Sequence, residues 1–175
     1  MSKALLILGA GGHGRVVREV ALFMVDSAGM PIYEKVDFLD DNAPDAIGSM
    51  ADLGVFADQY TDAFCGIGNN VVRDQLQQKA VDAGFNVPVL IHPTAYVSPT
   101  AVLGAGTIVE PRAIVNAGAV VGRGCILSVG SIVDHDSAIG DFCHVNTGAI
   151  CMAGSTVEPG RKVGAGEVVG GFNAR

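Results

Sequence analysis

Hydrophobic positions follow two different patterns along this chain. Up to about residue 92, short apolar runs alternate with segments in which apolar residues recur at helical spacing, which is typical of an α/β domain with a small parallel sheet. After residue 90, an aliphatic residue recurs every six positions. The patterns therefore predict an α/β domain over residues 1–90 and a repeat domain over residues 91–175. In the first domain we expect strands at 4–8, 35–39, 63–67 and 87–91 and helices at 13–26 and 71–84.

The six-residue period is regular over the whole second domain. Counted in steps of six from Ile91 to Val169, 13 of the 14 positions are Ile, Leu or Val, and the other is Cys151. The residue four positions further on is Ala, Thr, Ser or Cys in every hexad from Ala95 through Ser155. Hexapeptide repeats of this kind form a parallel β-helix, with aliphatic residues inside and small residues at tight corners. Three hexads make one coil, so residues 18 apart are predicted to stack.

Composition and charge exclude several classes of function. A formal charge of −7 argues against a nucleic-acid-binding or anionic-membrane surface, because both require clustered Lys and Arg. No apolar run approaches the length of about 18 residues that spans a bilayer, and residues 1–12 lack the layout of a secretory signal. The four cysteines have no C-x-x-C spacing, so we expect reduced thiols in a cytoplasmic protein. Cys125 and Cys143, 18 residues apart, are predicted to be stacked corner residues.

A glycine-rich turn follows the first predicted strand. Gly9, Gly11 and Gly14 fit G-x-G-x-x-G, in which glycines allow a tight turn and close approach of the backbone to phosphate. Asp40 and Asp41 end the second predicted strand, where a Rossmann-type fold meets a ribose hydroxyl. Two simpler interpretations stay open. The glycines also fit a strand-to-helix turn that needs Gly only for packing, and the two carboxylates also fit the start of the next loop.

Five separated motifs occur in an order that resembles one family. They are "GAGGHG", "FLDD", "GIGNN" with Arg73, "LIHPTAYVSPTA" and "VDHDSAIGDFCHVNTGA". Together they resemble the sialic acid O-acetyltransferase and bacillosamine or perosamine N-acetyltransferase family. The resemblance implies a half-Rossmann-like domain that binds a nucleotide-linked sugar rather than NAD, followed by a left-handed parallel β-helix. It also implies acetyl-CoA as co-substrate, an amino group on the sugar as acceptor, and a homotrimer with active sites between the β-helices.

The resemblance also implies roles for individual residues. His135 matches the catalytic base, which we expect to be buried, and Asp136 the carboxylate that orients it, where the family usually has Glu. His144 matches the histidine near the thioester of acetyl-CoA. We expect backbone N–H groups near Gly148 or Gly154 to stabilise the negative carbonyl oxygen of the transition state. The implied nucleotide-sugar contacts are Gly11, Gly12, His13, Asp40, Asp41, Asn69, Arg73 and Asn116.

Structural alternatives accompany these roles. His135 between two Asp residues also fits a solvated, charge-paired turn, and His144 also fits a hydrogen-bonded structural histidine. Asn69 before a helix is a good N-cap without any ligand. Zinc chemistry in a related hexapeptide-repeat family uses three histidines, but His92 lies more than two predicted coils below His135. We therefore expect no metal site.

Two alternative functions stay open from the sequence. An O-acetyltransferase acting on sialic acid or another sugar hydroxyl would use the same base, because amine and hydroxyl acceptors both lose a proton. A non-catalytic protein that binds a sugar nucleotide is the second alternative. It is suggested by "VGAGEVVGGFNAR", which we expect to give a curtailed coenzyme site because family members typically add further coils.

Overall fold

The computed structural model describes residues 3–172 and divides into two compact units, Met1–Leu90 and Ile91–Arg175. The first unit contains a four-stranded parallel sheet in the order β3-β2-β1-β4, with a helix after β1 and another after β4. This arrangement confirms the predicted α/β class. The elements are β1 (Lys3–Leu8), α1 (Gly12–Phe23), β2 (Tyr33–Leu39), β3 (Ala46–Gly48), a 3₁₀ helix (Met50–Phe56), β4 (Asp62–Cys65) and α2 (Asn70–Asp82).

The boundaries of the first unit differ from the predicted ones for local reasons. Helix α1 ends at Phe23 because the chain then turns around Asp26, whose carboxylate accepts the N–H groups of Ala28 and Met30. Of the strand predicted at 87–91, only Leu90–Ile91 is formed. Pro88 has no N–H to donate to a ladder.

The second unit is a left-handed parallel β-helix built from two-residue strands. Its strands form three sheets, which we name by their first members: the β5 sheet, the β6 sheet and the β7 sheet. The β5 sheet contains β5 (Leu90–Ile91), β8 (Ile108–Val109), β11 (Ile126–Leu127), β14 (His144–Val145) and β17 (Lys162–Val163). The β6 sheet contains β6 (Tyr96–Val97), β9 (Ile114–Val115), β12 (Ile132–Val133), β15 (Ile150–Cys151) and β18 (Val168–Val169). The β7 sheet contains β7 (Val102–Leu103), β10 (Val120–Val121), β13 (Ala138–Ile139) and β16 (Thr156–Val157).

The β-helix core is made by the hexad positions that the sequence predicts. The second residue of each two-residue strand points inward. These aliphatic positions, from Val109 to Val169, form one buried cluster that includes Cys151. Corner residues such as Cys125 and Cys143 are fully buried and the four cysteines are free thiols. Strand register steps by 18 residues, as in the pairing of Ile126 with His144. The predicted stacking is therefore confirmed.

Candidate active site

The glycine-rich turn after β1 uses its glycines in two ways. A Cβ at Gly14 would meet the carbonyl of Gly9, and a Cβ at Gly66 would lie 2.7 Å from the Cα of Gly14. These glycines are required by close packing between the turns after β1 and β4. By contrast, an added Cβ at Gly11 or Gly12 would meet nothing within 4 Å. The backbone of these two exposed residues therefore faces open space, which suits a ligand.

Asp40 ties the end of β2 to the glycine-rich turn. One carboxylate oxygen accepts the N–H of Ala10 at 2.9 Å, and the other accepts the N–H groups of Asn42 and Ala43. These hydrogen bonds, that of Ala10 foremost, hold the pKa of Asp40 below its usual value. The exposed Asp41 accepts the N–H of Met50 at 2.9 Å. Both carboxylates thus shape the loops beside Gly11, Gly12 and the half-buried His13.

The loop after β4 is held by Asn69 and Arg73. The Asn69 side chain caps helix α2 by accepting from Val71 and Val72 at 3.0 and 3.1 Å, as its helix-start pattern predicts. Arg73 is 1% exposed, and its guanidinium donates to the carbonyls of Ile67 and Gly68 and to the side chain of Asn70. In this structure Arg73 fixes the loop from within, where the sequence predicts a contact with the nucleotide-sugar.

In the second unit, His135 and Asp136 form the contact expected of a base and its orienting carboxylate. They lie in the turn between β12 and β13, where His135 Nδ1 is 2.9 Å from Asp136 Oδ2. A carboxylate only accepts hydrogen bonds, so in the neutral imidazole Nδ1 carries the proton and Nε2 keeps its lone pair. The hydrogen bond to Asp136 raises the pKa of His135. Aspartate, one methylene shorter than the family's usual Glu, therefore still reaches the imidazole.

A second carboxylate, whose supporting role the sequence does not indicate, holds the backbone of the base. Asp134 Oδ1 accepts the N–H of His135 at 2.7 Å and the Asn116 side-chain amide at 3.0 Å. These two donors, the backbone N–H first, lower the pKa of Asp134. Asn116 lies 18 residues before Asp134, so the stacking rule could have identified the pair. The structure thus places Asn116 in the support of His135.

The surroundings of His135 form an open cavity. It has a volume of about 440 Å³ and is lined by Asp134, His135, Ile150, Met152, Ala153 and Phe172. The His135 side chain is 49% exposed in the single chain, which corrects the expectation of a buried base. The imidazole stands at a corner of the β-helix, in a turn whose backbone carbonyl accepts the N–H of Gly154 from the next coil.

His144 occupies a different environment. It is the first residue of β14, in register with Ile126 and Lys162, and its Nε2 lies 3.0 Å from the hydroxyl of Ser128. One coil below Ser128, the buried Glu110 accepts the N–H of Val129 at 3.0 Å, and burial raises the pKa of Glu110. Ser128 and Glu110 were missed from the sequence, although both are polar residues at the same turn position, 18 apart.

The backbone N–H groups of Gly148 and Gly154 are already used. Gly148 donates to the carbonyl of Val129 at 3.0 Å, and Gly154 donates to the carbonyl of His135 at 2.9 Å. Each amide has one hydrogen, and both are engaged in bonds between successive coils. The structure therefore does not support the expected use of these two groups as donors to a carbonyl oxygen.

His135 and His144 lie on opposite sides of the β-helix. The turn with His135 joins the β6 sheet to the β7 sheet, whereas His144 stands on the β5 sheet, which is the face opposite that corner. The inward neighbours Val133 and Val145 are fully buried between them. One chain therefore does not bring the two imidazoles together.

Within residues 3–172, no group of three or more His, Cys, Asp and Glu side chains is arranged to hold a metal ion. Over the same residues, neither helix has the length and hydropathy needed to cross a bilayer.

Comparison with known proteins identifies the family. Residues 4–80 match the PglD N-terminal domain. Over both units, the chain is similar to the acetyltransferase domain of PglB from Neisseria gonorrhoeae in complex with acetyl coenzyme A. The two share 34% identity and a TM-score of 0.81, over 95% of this chain and 90% of that one. The chain belongs to the bacillosamine–perosamine N-acetyltransferase family.

Other members of the bacillosamine–perosamine N-acetyltransferase family match as well. A variant of perosamine N-acetyltransferase from Caulobacter crescentus, in complex with CoA and GDP-perosamine, is 29% identical, with a TM-score of 0.82 over 96% of this chain and 89% of that one. UDP-N-acetylbacillosamine N-acetyltransferase of Bacillus subtilis is 31% identical over 109 residues, which cover 61% of this chain. The matched region spans 50% of the length of that curated relative.

Proposed function

We propose that this protein is an acetyl-CoA-dependent N-acetyltransferase that acts on the amino group of a nucleotide-linked amino sugar. The observation that carries the proposal is the 2.9 Å contact between His135 Nδ1 and Asp136, which leaves Nε2 as a proton acceptor beside an open cavity. The N-acetyltransferase activities for which the relatives from Bacillus subtilis and Caulobacter crescentus are named support an amine acceptor over a hydroxyl. The intact His135–Asp136 contact supports an enzyme over a non-catalytic binding protein.

The reaction follows from the proton that His135 accepts. The sugar amine attacks the thioester carbon, a C–N bond forms, and the C–S bond breaks to release CoA. His135 Nε2 takes the proton from the amine. Transfer of this proton to the departing thiolate gives CoA–SH and returns His135 to its neutral form. Asp136 keeps the other ring nitrogen protonated, so Nε2 is the free base before the reaction. No covalent acyl-enzyme is needed.

The α/β unit is proposed to bind the nucleotide part of the sugar. The support is local: Gly11 and Gly12 present open backbone, and Asp40 and Asn69 fix the loops on the same edge of the sheet, after β2 and β4. Carboxyl ends of parallel strands are where ligands bind in open α/β sheets. On this proposal Arg73 acts by holding the loop in shape.

A homotrimer is proposed as the working form, in the cytoplasm. The support is the placement of His135 and His144 on opposite sides of one β-helix. If both serve one reaction centre, His135 comes from one copy and His144 from its neighbour. The β6 sheet offers a contact face, because its outward residues Ile114, Ile132 and Ile150 form an apolar column that is only partly buried.

The test is a screen of nucleotide-linked amino sugars with acetyl-CoA, following release of free thiol. We expect turnover with at least one amine. In calorimetry, we expect no binding of NAD or NADP. His135→Ala should lower turnover by about 100- to 10,000-fold and retain nucleotide-sugar binding. Acetylation restricted to sugar hydroxyls, or parental turnover in His135→Ala, would overturn the proposal.

A further inference from the structure

Each turn of the β-helix from Gly106 to Gly166 has one residue in the left-handed backbone region. At most of these positions the residue is glycine, for example Gly118, Gly130 and Gly148 with φ of 68°, 66° and 65°. Asp136 has φ 59° at the same turn position, one coil above Gly118. The backbone N–H of Asp136 donates to the carbonyl of Ala117 at 3.0 Å. This hydrogen bond fixes the backbone from which the Asp136 side chain extends.

The carboxylate of Asp136 lies between Gly118 and the imidazole of His135. A Cβ built on Gly118 would be 2.7 Å from Asp136 Oδ1, closer than real Cβ contacts. The other oxygen of the same carboxylate is the one that contacts His135 Nδ1 at 2.9 Å. Both oxygens turn together about one bond, so moving Oδ1 away from Gly118 also moves Oδ2 relative to the imidazole.

We propose that Gly118 is a positioning residue for the His135–Asp136 pair, because its missing side chain provides the space in which the Asp136 carboxylate is held against His135. The effect on catalysis rests on the proposed function of His135, whereas the effect on orientation does not. A terminal carboxylate rotates easily. A Cβ at Gly118 is therefore relieved by turning the carboxylate, and the fold is retained while the contact with His135 is lost.

The chain supplies a matched control. Gly130 occupies the same turn position with nearly the same φ, and a Cβ there would meet nothing within 4 Å. Gly118→Ala and Gly130→Ala therefore carry the same backbone strain, and only the first touches Asp136. Gly118→Asn and Gly130→Asn form a second pair, because Asn has a Cβ but tolerates the left-handed region better than Ala.

The experiment measures the pKa of His135 by NMR, together with kcat, in both pairs of variants. We expect equal losses of melting temperature within each pair. The pKa of His135 should fall toward its ordinary value only in the Gly118 variants, because the hydrogen bond that His135 donates to Asp136 raises it. We expect kcat to fall about tenfold or more in the same variants and to change little in the Gly130 variants.

A double-variant cycle completes the test. In an Asp136→Gly background, Gly118→Ala should cause no further fall in the pKa of His135 or in kcat, because the side chain that it displaces is gone. Equal pKa values in the Gly118 and Gly130 variants, or additive effects in the cycle, would overturn the inference. The pKa measurement needs no substrate, so a failure of the proposed acetyl transfer is distinguishable from a failure of the inference.

Discussion

At the residue scale, Asp136, the partner of the base, occupies a turn position that costs stability. Asp136 adopts φ 59° where the turns of neighbouring coils use glycine, and L-residues other than Gly disfavour this region. Asp and Asn are the side chains that tolerate it best. The carboxylate is retained at a strained position and contacts His135, which is the combination expected where function outweighs stability.

We predict that Asp136→Gly stabilises the fold while it lowers turnover. Relief of the left-handed backbone should raise the free energy of unfolding by about 1 kcal/mol, and loss of the carboxylate should leave His135 without its orienting hydrogen bond. Denaturant unfolding and thiol-release kinetics measure the two effects. Arg112→Gly is the control, since Arg112 has φ 60° at an equivalent position: it should gain similar stability and keep parental turnover. A destabilised Asp136→Gly would contradict the assignment of strain.

The pH dependence of acetyl transfer is predicted from the same contact. A base must be neutral, so kcat/KM should rise as pH increases through the pKa of His135. That pKa is raised chiefly by the hydrogen bond to Asp136, so in Asp136→Asn the acidic limb of the profile should move to lower pH while its plateau falls. Asp134 contributes a smaller Coulombic increase, and Asp134→Asn should displace the limb less. An acidic limb that stays in place in Asp136→Asn would remove Asp136 from this role.

At the element scale, the two residues of a strand such as β10 point to opposite faces of the sheet. In β10, Val121 is 1% exposed and belongs to the inner core, whereas its neighbour Val120 is 49% exposed. Each coil contributes one such inward residue from each sheet, and the coils above and below close the space around it. The surrounding coils therefore cannot easily relax into a cavity left by a shortened inward side chain.

This division predicts a large difference between two adjacent substitutions. Val121→Ala should lower the free energy of unfolding by about 2 kcal/mol, from lost burial and the cavity left behind. Val120→Ala should change it by less than about 0.5 kcal/mol, as an exposed substitution. Both are measured by denaturant unfolding of the same preparation. Similar losses for the two variants would mean that the outward face of β10 is covered in solution.

The sequence predicts the repeat elements well because each coil depends on local spacing. Inward aliphatic positions and small corners, such as Val133 and Cys125, recur with a fixed period and are buried as expected. In the first unit, β3 and the 3₁₀ helix were missed because three residues, or seven with mixed burial, carry no clear periodicity. The strand expected at 87–91 failed at Pro88, where the composition favoured a strand but the backbone lacked a donor.

The candidate site was only partly predictable, for a different physical reason. His135 and Asp136 stand out because polar residues interrupt a regular pattern. The supporting residues Asn116, Gly118 and Ser128 carry no such signal, since each resembles an ordinary turn residue. Their roles come from stacking, which the 18-residue step would have indicated for Asn116 and Gly118. The use of the Gly148 and Gly154 N–H groups between coils depends on hydrogen-bond directions that spacing does not give.

At the scale of the whole molecule, His135 and His144 are separated by half a coil, and this separation determines how a reaction centre with both histidines is built. His135 and His144 are nine residues apart, half of one coil, so they must face opposite sides of the β-helix. In a closed threefold ring, each interface joins two different faces of neighbouring copies. The proposed trimer therefore forms each reaction centre from the His135 side of one copy and the His144 side of the next.

This arrangement predicts that two defective variants restore each other. His135→Ala lacks the base and His144→Ala lacks the residue assigned to the coenzyme side, so each alone should be impaired. When they are unfolded together, mixed and refolded, random cyclic trimers should place an intact pair at about one quarter of the interfaces. Thiol release in the mixture should then exceed the sum of the two variants refolded separately.

The double variant His135→Ala/His144→Ala, mixed with parental chains, is the control, because it supplies neither residue and should show no such gain. Activity that only averages the two variants would mean that each site takes both histidines from one chain, which the placement of β14 opposite the His135 turn does not allow, or that His144 takes no part in the reaction.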